Sequence, residues 1–559
     1  MMEDKIRVFA LGGLDEDGKN LQVVEINDDI FVLECGIRFP DKTTPGIDYI
    51  IPDYDYLRKN KQRVRAYILT HGHDDEIGAL PYIHKEVPAP IYGSDVTLIM
   101  VRTFFDHIHF DSSRLDLHIV KPTSDVVIAG RMFHFFHTAH NIAESMGVAI
   151  ETNLGNIVFT GDYVVENNAS DNYLHDMSAI ARIAEKETAL LMIESNYADR
   201  LGYTAPKYKI TPLLSQFIEE VKGRLFIALF SRNVYNIDEI INLAVKTRKK
   251  IVFYDNETAE IFKDMQKVDQ LIIPKNNFVA IEDVNRIRAK ETIVLMCGFG
   301  DRLFKKIATL ANGLQEDRRI LLTPEDTFVV AAPASPNVEA IATSAIDDLY
   351  RSGVKVKALS KKDILKMHAS EEDIKMVVAT LKPKYYLPVK GSYRHLLANA
   401  QLVLGMGLKL SHQNVFVLDN GMVLEITKDA AKILPDTVKV GDLLIDGKGI
   451  GDVEGGVIIE RQKLSDDGVV VLGVTISRSK RQVTAGPDVQ MRGFVFLKDA
   501  DTILKEVTKI FLNAVNAGIA KHNYRLAEIE NQATEAILRY IRRANGKNPM
   551  VLPLIIEID

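Results

Sequence analysis

His71-Gly72-His73-Asp74-Asp75-Glu76 is the stretch on which the reading of this chain turns. It follows a short apolar run, Arg65–Thr70, read as a strand, and it opens a segment read as a helix, Asp75–Glu86. Two imidazoles two residues apart on a turn converge on one cation. A carboxylate two residues further on reaches the same ion or a neighbouring one, and this donor set suits zinc or manganese. H-x-H by itself is a weak signal. The chain has 14 histidines, and a second such pair, His107-Ile108-His109, lies in a helical stretch with no candidate partners. Two further residues strengthen the first pair. His140 sits in a turn after the strand Met132–His137, and Asp162 closes Thr160-Gly161-Asp162 after the strand Asn156–Thr160. Each candidate lies at the C-terminal end of a strand, where loops build sites.

Outward from this centre, Ile6–Leu11, Leu21–Ile26, Ile30–Glu34 and Ala66–Thr70 read as strands, with a helix at Ser94–His107 and more strands at Val126–Ile128 and Met146–Glu151. Clustered strands with helices between them predict two packed sheets covered by helices. From about Pro206 to Gly353 strand and helix alternate regularly, as in a parallel α/β unit: Leu225–Phe230 before Val234–Lys249, Ile251–Tyr254 before Glu257–Val268, Thr292–Met296 before Leu303–Asn312, Thr327–Ala332 before Val338–Ser352. Short strands resume at Val354–Leu359, Tyr385–Pro388 and Val415–Leu418, and the turn-rich Lys428–Gly441 reads as a linker. The last part predicts strands at Gly456–Glu460, Val469–Ile476 and Phe494–Leu497, helices at Ala500–His522 and Leu526–Asn545, and a closing strand, Val551–Ile558.

Length and composition narrow the class. At 559 residues, 47% hydrophobic and 26% charged, this is a multidomain globular chain. No apolar run reaches the ~18 residues that span a bilayer, and the N-terminus lacks a signal-peptide pattern. With only Cys35 and Cys297 there is neither a disulfide framework nor a cysteine zinc site. A cytoplasmic chain with no membrane partner is the expectation. The net charge of −7 excludes a globally basic nucleic-acid binder but not a local groove. Lys246-Thr247-Arg248-Lys249-Lys250, Arg478-Ser479-Lys480-Arg481 and Arg542-Arg543 are basic runs, read first as solvated faces and second as RNA contacts.

H-x-H-x-D, a distant histidine and T-G-D together resemble the metallo-β-lactamase fold. The interrupting α/β unit resembles a β-CASP domain, and nearly the whole length resembles the ribonuclease J family. Carrying that likeness are Leu11-Gly12-Gly13 with Gly18-Lys19-Asn20, Gly46-Ile47-Asp48 with Ile51-Pro52-Asp53, Lys382-Pro383-Lys384-Tyr385, Ile445-Asp446-Gly447, Gly486-Pro487, Arg492-Gly493-Phe494-Val495 and Asn548-Pro549-Met550. The resemblance implies an α/β fold. Residues 1–205 and 355–425 would form a metallo-β-lactamase αββα sandwich and 206–354 a β-CASP insert. Residues 426–449 would be a linker and 450–559 a small C-terminal α+β domain.

The resemblance also implies a hydrolase that cuts RNA from the 5′ end and sometimes internally, in rRNA maturation and mRNA turnover. Two cations about 3.5–4 Å apart hold the attacking water and the scissile phosphate in such sites. Carried over position by position, the first ion takes His71, His73 and His140 with Asp162 bridging. The second takes Asp75, Asp162 and two more histidines. Asp75, Glu194 and His368 fall at catalytic positions, and Arg232-Asn233-Val234 with His368-Ala369-Ser370 at RNA-contacting ones.

Here the sequence departs from the pattern. Glu76 and Lys390 stand where the two further histidines belong. A protonated lysine cannot bind metal. Its ammonium, placed among Asp75, Asp162 and Glu76, is read as a built-in substitute for the second ion; the alternative is that Lys390 points away and water fills the place. Glu34 replaces an aspartate, and Glu194 stands in an altered Glu194-Ser195-Asn196. Cys297-Gly298-Phe299-Gly300-Asp301-Arg302 replaces a Gly-rich turn. A phosphate-cradling loop survives only as His368-Ala369-Ser370, which runs into Glu371-Glu372-Asp373, acidic residues expected to oppose RNA. The reading is a degenerate paralogue of weak or no activity, holding at most one zinc or manganese ion well. Its expected partners are RNA, an active ribonuclease J paralogue and further copies of itself, as a dimer or tetramer. The rival is a competent one- or two-metal exo- or endoribonuclease.

Overall fold

Where apolar residues alternate along a strand, the strand is covered differently on its two faces; where they run unbroken, both faces are buried. The computed structural model describes residues 3–41, 43–166, 171–335, 338–447, 449–450, 455–493 and 500–559. It divides into two compact units, Met1–Phe39 with Ile50–Leu443, and Pro40–Tyr49 with Leu444–Asp559.

The first unit contains an eight-stranded sheet in the order Ala431–Ile433, Leu424–Ile426, Ile6–Gly12, Leu21–Ile26, Asp29–Leu33, Val64–Ile68, Ile91–Gly93, Leu117–Ile119. A six-stranded sheet runs Tyr385–Val389, Thr188–Glu194, Gly155–Phe159, Met146–Thr152, Arg131–His137, Asp125–Ile128. Phe159, Met192 and Leu387 of the second sheet share one core with Val8, Phe31 and Ile68 of the first. Their sequence neighbours Val158, Leu191 and Tyr386 face the other way, onto the helices Met177–Ile183 and Glu371–Leu381. The period of two thus builds a sandwich with helices outside it.

The same unit carries a five-stranded, all-parallel sheet, ordered Lys250–Phe253, Thr292–Gly298, Leu225–Phe230, Thr327–Val330, Lys355–Ala358. Thr292–Gly298 is buried along its whole length, as a strand covered on both faces must be. In the second unit, Val469–Ser477 pairs antiparallel with Gln482–Arg492 and parallel with Met550–Ile558. Parallel pairing needs a long crossover, here the helices Ala500–Ile519 and Leu526–Asn545, whose Val507, Phe511, Ile537 and Ile541 pack on Val470, Leu472 and Ile476. No helix among the described residues is long and apolar enough to cross a membrane.

Several local expectations are corrected. Gly456–Glu460 is not a strand but lies in the helix Gly455–Asp467. Its Val-Ile-Ile run favours a strand, yet helix formers follow, and the helix turns Arg461 onto the Gly46 carbonyl (3.1 Å) and Asp446 (2.6 Å). Phe494–Leu497 lies outside the described residues. The helix expected over Asp75–Glu86 is two short ones, Asp74–Ile77 and Leu80–Ile83, broken at Gly78-Ala79, with Pro81 in the first turn of the second. Within Val415–Leu418 only Val415 bridges to the sheet, at Tyr386. The supposed linker supplies Ala431–Ile433 to the sheet edge.

Glu371-Glu372-Asp373 has a structural explanation that charge alone did not suggest. Ser370 caps the helix Glu371–Leu381, and Asp373 is fully buried. Asp373 accepts from the Ser370 amide (3.0 Å) and hydroxyl (2.8 Å), from the Val165 amide (2.9 Å) and from the Thr204 amide (3.1 Å). Glu372 pairs with Lys375 at 2.9 Å. Acids in a first helical turn are favourable, and Asp373 is not available to repel RNA. Asp373→Ala strands buried donors at about 1–3 kcal/mol each, so urea unfolding is expected to show a loss of about 3 kcal/mol or more. A loss below about 1 kcal/mol would mean that the donors find other partners.

Candidate metal centre

Strand ends deliver the cluster. Gly155–Phe159, Thr188–Glu194 and Tyr385–Val389 are adjacent and parallel, so their C-terminal ends open at one edge. Asp162, Glu194 and Lys390 emerge there. His140 follows Arg131–His137, and His71 and His73 follow Val64–Ile68. Lys390 has φ 59, a left-handed conformation that a non-glycine residue seldom holds. Below it, segments 20, 35–37 and 74–76 are tied by backbone hydrogen bonds: the Asn20 amide to the Asp75 carbonyl (3.1 Å), Ile37 to Asp74 (3.0 Å), Cys35 to Glu76 (2.5 Å). Gly36 makes this approach possible, since a Cβ there would stand 1.5 Å from the Asp75 carbonyl oxygen.

His71, His73, His140 and Asp162 bring one ligand atom each within 4.8 Å of one another. His73 Nδ1 stands 2.9 Å from His71 Nε2 and 3.3 Å from His140 Nε2. The far side of each outer ring is held. The Thr70 hydroxyl donates to Glu34 and so accepts from His71 Nδ1 at 2.9 Å, and His140 Nδ1 donates to the Met367 carbonyl at 2.6 Å. Both Nε2 lone pairs therefore turn inward. Burial, then the neighbouring imidazoles, hold His71 and His73 well below the ordinary value, and burial takes His140 down to about 3. Three imidazole nitrogens and a carboxylate oxygen gathered at one point are the donor set of a four-coordinate zinc ion, and these four residues fit one.

Beside them the Lys390 ammonium is buried and turned into the cluster, not away. It pairs with Asp162 Oδ1 and stands 2.8 Å from Glu76 Oε1. Glu76 also accepts from Asn20 Nδ2 at 2.8 Å. Burial works against the Lys390 charge, but Asp162 and Glu76 outweigh it and hold the ammonium well above its usual range. Burial would likewise raise Asp162, yet Lys390 and the imidazoles keep it well below. Glu76 is driven the other way, upward, by burial and by Asp75. Lys390 and Asp162 thus form an ion pair inside the cluster, with Glu76 as the second neighbour of the ammonium. Asp75 groups with His73 and Glu76.

His368 Nδ1 lies 2.8 Å from Glu194 Oε2 and 3.7 Å from Asp162 Oδ2. Burial lowers His368, but Glu194 and Asp162 more than reverse it. Burial and Asp162 raise Glu194. The other expected RNA contacts are spent on the fold. Asn233 caps the helix Val234–Lys246, Val234, Ala369 and Ser370 are buried, and the Ala369 amide donates to Glu194 at 3.0 Å. The side chains of Val234, Ala369 and Ser370 are thus packed inside the protein. Like Asn233 and His368, Arg232 is partly open. Its Nε donates to Asp74 Oδ1 at 2.9 Å.

Three supports escaped the sequence reading. Thr70 and the Met367 carbonyl orient imidazoles, and Asn20 holds Glu76. Asn20 stood inside a quoted motif and Thr70 directly before His71, but neither residue type announces a partner far away in sequence.

Comparison with known proteins agrees with this geometry. Family models match at residues 23–201 (metallo-beta-lactamase superfamily), 222–349 (ribonuclease J, beta-CASP domain), 353–417 (Zn-dependent metallo-hydrolase RNA specificity domain) and 456–558 (ribonuclease J C-terminal domain). The chain is 30% identical to ribonuclease J 2 of Staphylococcus aureus strain MRSA252 over 555 residues, covering 99% of this chain and 98% of that one. It is also 30% identical to ribonuclease J2 of Bacillus subtilis strain 168, covering 99% of each. A solved Enterococcus faecalis V583 protein of unknown function aligns at TM-score 0.50 and 15% identity, over 77% of this chain and 100% of that one, a likeness of fold alone. With that identity spanning both full lengths, the chain belongs to the ribonuclease J family, zinc-dependent metallo-hydrolases of RNA processing.

Proposed function

We propose that this chain is a degenerate ribonuclease J that holds one ion, cuts RNA weakly or not at all, and acts beside an active paralogue in rRNA maturation and mRNA turnover. One observation carries the reading: the buried Lys390 ammonium, paired with Asp162 and 2.8 Å from Glu76, stands among the carboxylates that a second cation would need. A fixed ammonium neutralises those groups and repels a dication. The ion on His71, His73, His140 and Asp162, zinc or manganese, supplies positive charge for the scissile phosphate when bound. His368 and Glu194 share a proton at Nδ1 beside Asp162, and Asp75 lines the same side of the cluster. Metal content, measured beside hydrolysis of 5′-monophosphorylated RNA, tests the reading. Rapid exo- or endonucleolytic decay that His73→Ala abolishes would favour the competent-enzyme rival.

Association as a dimer or tetramer, with itself or with the paralogue, belongs to the same proposal. The sheet order leaves Met550–Ile558 at an edge. Its alternate residues Leu552, Leu554, Ile556 and Ile558 are 43–56% exposed, and Val471 on the neighbouring strand is 43% exposed. An apolar stripe on an unpaired edge strand is what sheet proteins avoid unless something covers it, and a second copy of the same tail is self-complementary to it. Leu554→Asp with Ile556→Asp is expected to lower the oligomeric mass in light scattering and to lose the paralogue in co-purification. Unchanged mass and retained paralogue would remove the tail's assembly role.

A further inference from the structure

Arg232 lies in the turn between the strand Leu225–Phe230 and the helix Val234–Lys246 of the parallel α/β insert. Its Nε donates to Asp74, the residue between His73 and Asp75, at 2.9 Å. The guanidinium carbon lies 5.4 Å from the ring centre of Phe104, on the helix Asp95–His107, and 5.1 Å from that of Phe299, in the insert. Nothing else among the described residues accepts from its terminal nitrogens, and the side chain is 22% exposed. Close by, the Tyr235 amide donates to the carbonyl of Asn141, next to His140, at 2.9 Å. The insert is therefore fastened to the metal loops at two points. The first is a single charge-assisted bond with unused donors at the protein surface.

We propose that Arg232 is a phosphate-responsive clasp: it ties the insert to the metal loop through Asp74 in the free protein and hands its guanidinium to an RNA backbone phosphate when RNA enters. Aromatic rings beside a planar guanidinium leave its edge as the donor side, which suits an in-plane phosphate oxygen pair better than a lysine could. Asp74 and the phosphate compete for the same cation, so RNA affinity and the clasp are linked with opposite sign. The proposal rests on the reading that RNA occupies the metal cleft.

The test uses the full chain and a 5′-monophosphorylated single-stranded RNA, with binding measured by anisotropy across a salt series and no turnover required. Arg232→Ala is expected to weaken binding by about tenfold or more and to reduce the salt slope by about 0.7, one phosphate contact on a single strand. Asp74→Asn frees the arginine and is expected to tighten binding several-fold. In the double variant that gain disappears. Arg232→Lys keeps the charge but loses the fork, so it falls between the unaltered chain and Arg232→Ala. If Asp74→Asn still tightens binding in the Arg232→Ala background, Asp74 acts by general repulsion and the clasp is wrong. If Arg232→Ala and Asp74→Asn, both folded by circular dichroism, bind like the unaltered chain, the clasp is wrong and the RNA cleft stands. If the unaltered chain binds no RNA, both fall.

Discussion

Metal analysis of the full chain is expected to return about one zinc per molecule and no tightly held second ion. Three neutral imidazoles and the Asp162 carboxylate satisfy a four-coordinate ion by themselves. The neighbouring position has its charge supplied already: Lys390 and Asp162 are ionised against one another, and Glu76 is pushed toward its neutral form. Lys390→Ala leaves Asp162 buried without its counter-charge and is expected to raise zinc affinity by tenfold or more, read by competition with a chelator. Hydrolysis of 5′-monophosphorylated RNA is expected to be ~10²–10³ slower than in a paralogue with the full ligand set, the usual cost of one missing charge-stabilising group. Lys390→His with Glu76→His is expected to admit a second ion without restoring full rate, because Ser370 leads straight into a capped helix where a phosphate loop would be needed. Two fully occupied ions in the unaltered chain, or fast hydrolysis by it, would overturn the ammonium-for-metal reading.

Gly36→Ala is expected to cost more stability than any single surface change, about 3 kcal/mol or more, beyond the ordinary range for an overpacked methyl. The added carbon would stand 1.5 Å from the Asp75 carbonyl oxygen and 2.7 Å from the Glu76 amide nitrogen. These are backbone atoms, with no flexible end to swing aside. The segments 35–37 and 74–76 must part, breaking the Cys35–Glu76 and Ile37–Asp74 hydrogen bonds. Asp75 and Glu76 then leave their places beside Lys390. Urea unfolding reads the first consequence, and zinc retention during dialysis reads the second. A Gly36→Ala chain of unchanged stability would mean that these segments separate without cost, and the account of how the site is held would fail with it.

Residue type and spacing make the imidazole set legible in the sequence, because His-x-His after a strand, a distant histidine and Thr-Gly-Asp each sit at a strand end. The parallel insert is legible for a similar reason, since fully buried strands read as unbroken apolar runs. The helix at Gly455–Asp467 is not. Its first residues favour a strand, and its contacts, those of Arg461 with Gly46 and Asp446 among them, are tertiary. Nor is the role of Asp373, whose charge looks like an obstacle to RNA and is spent instead on buried donors.

What the sequence by itself determined was which groups are present: three imidazoles, Asp162, and a lysine and a glutamate where two further histidines would complete a second ion's ligands. Spacing also determined that strands and loops would carry them. Tertiary structure alone decided how they act. Lys390 is 228 residues from Asp162, and whether its ammonium faces that carboxylate depends on adjacent parallel strands and a left-handed backbone turn. The same holds for Arg232 and Asp74, 158 residues apart. Electrostatic energy falls with distance and rises with burial, and neither quantity is written in the order of the residues.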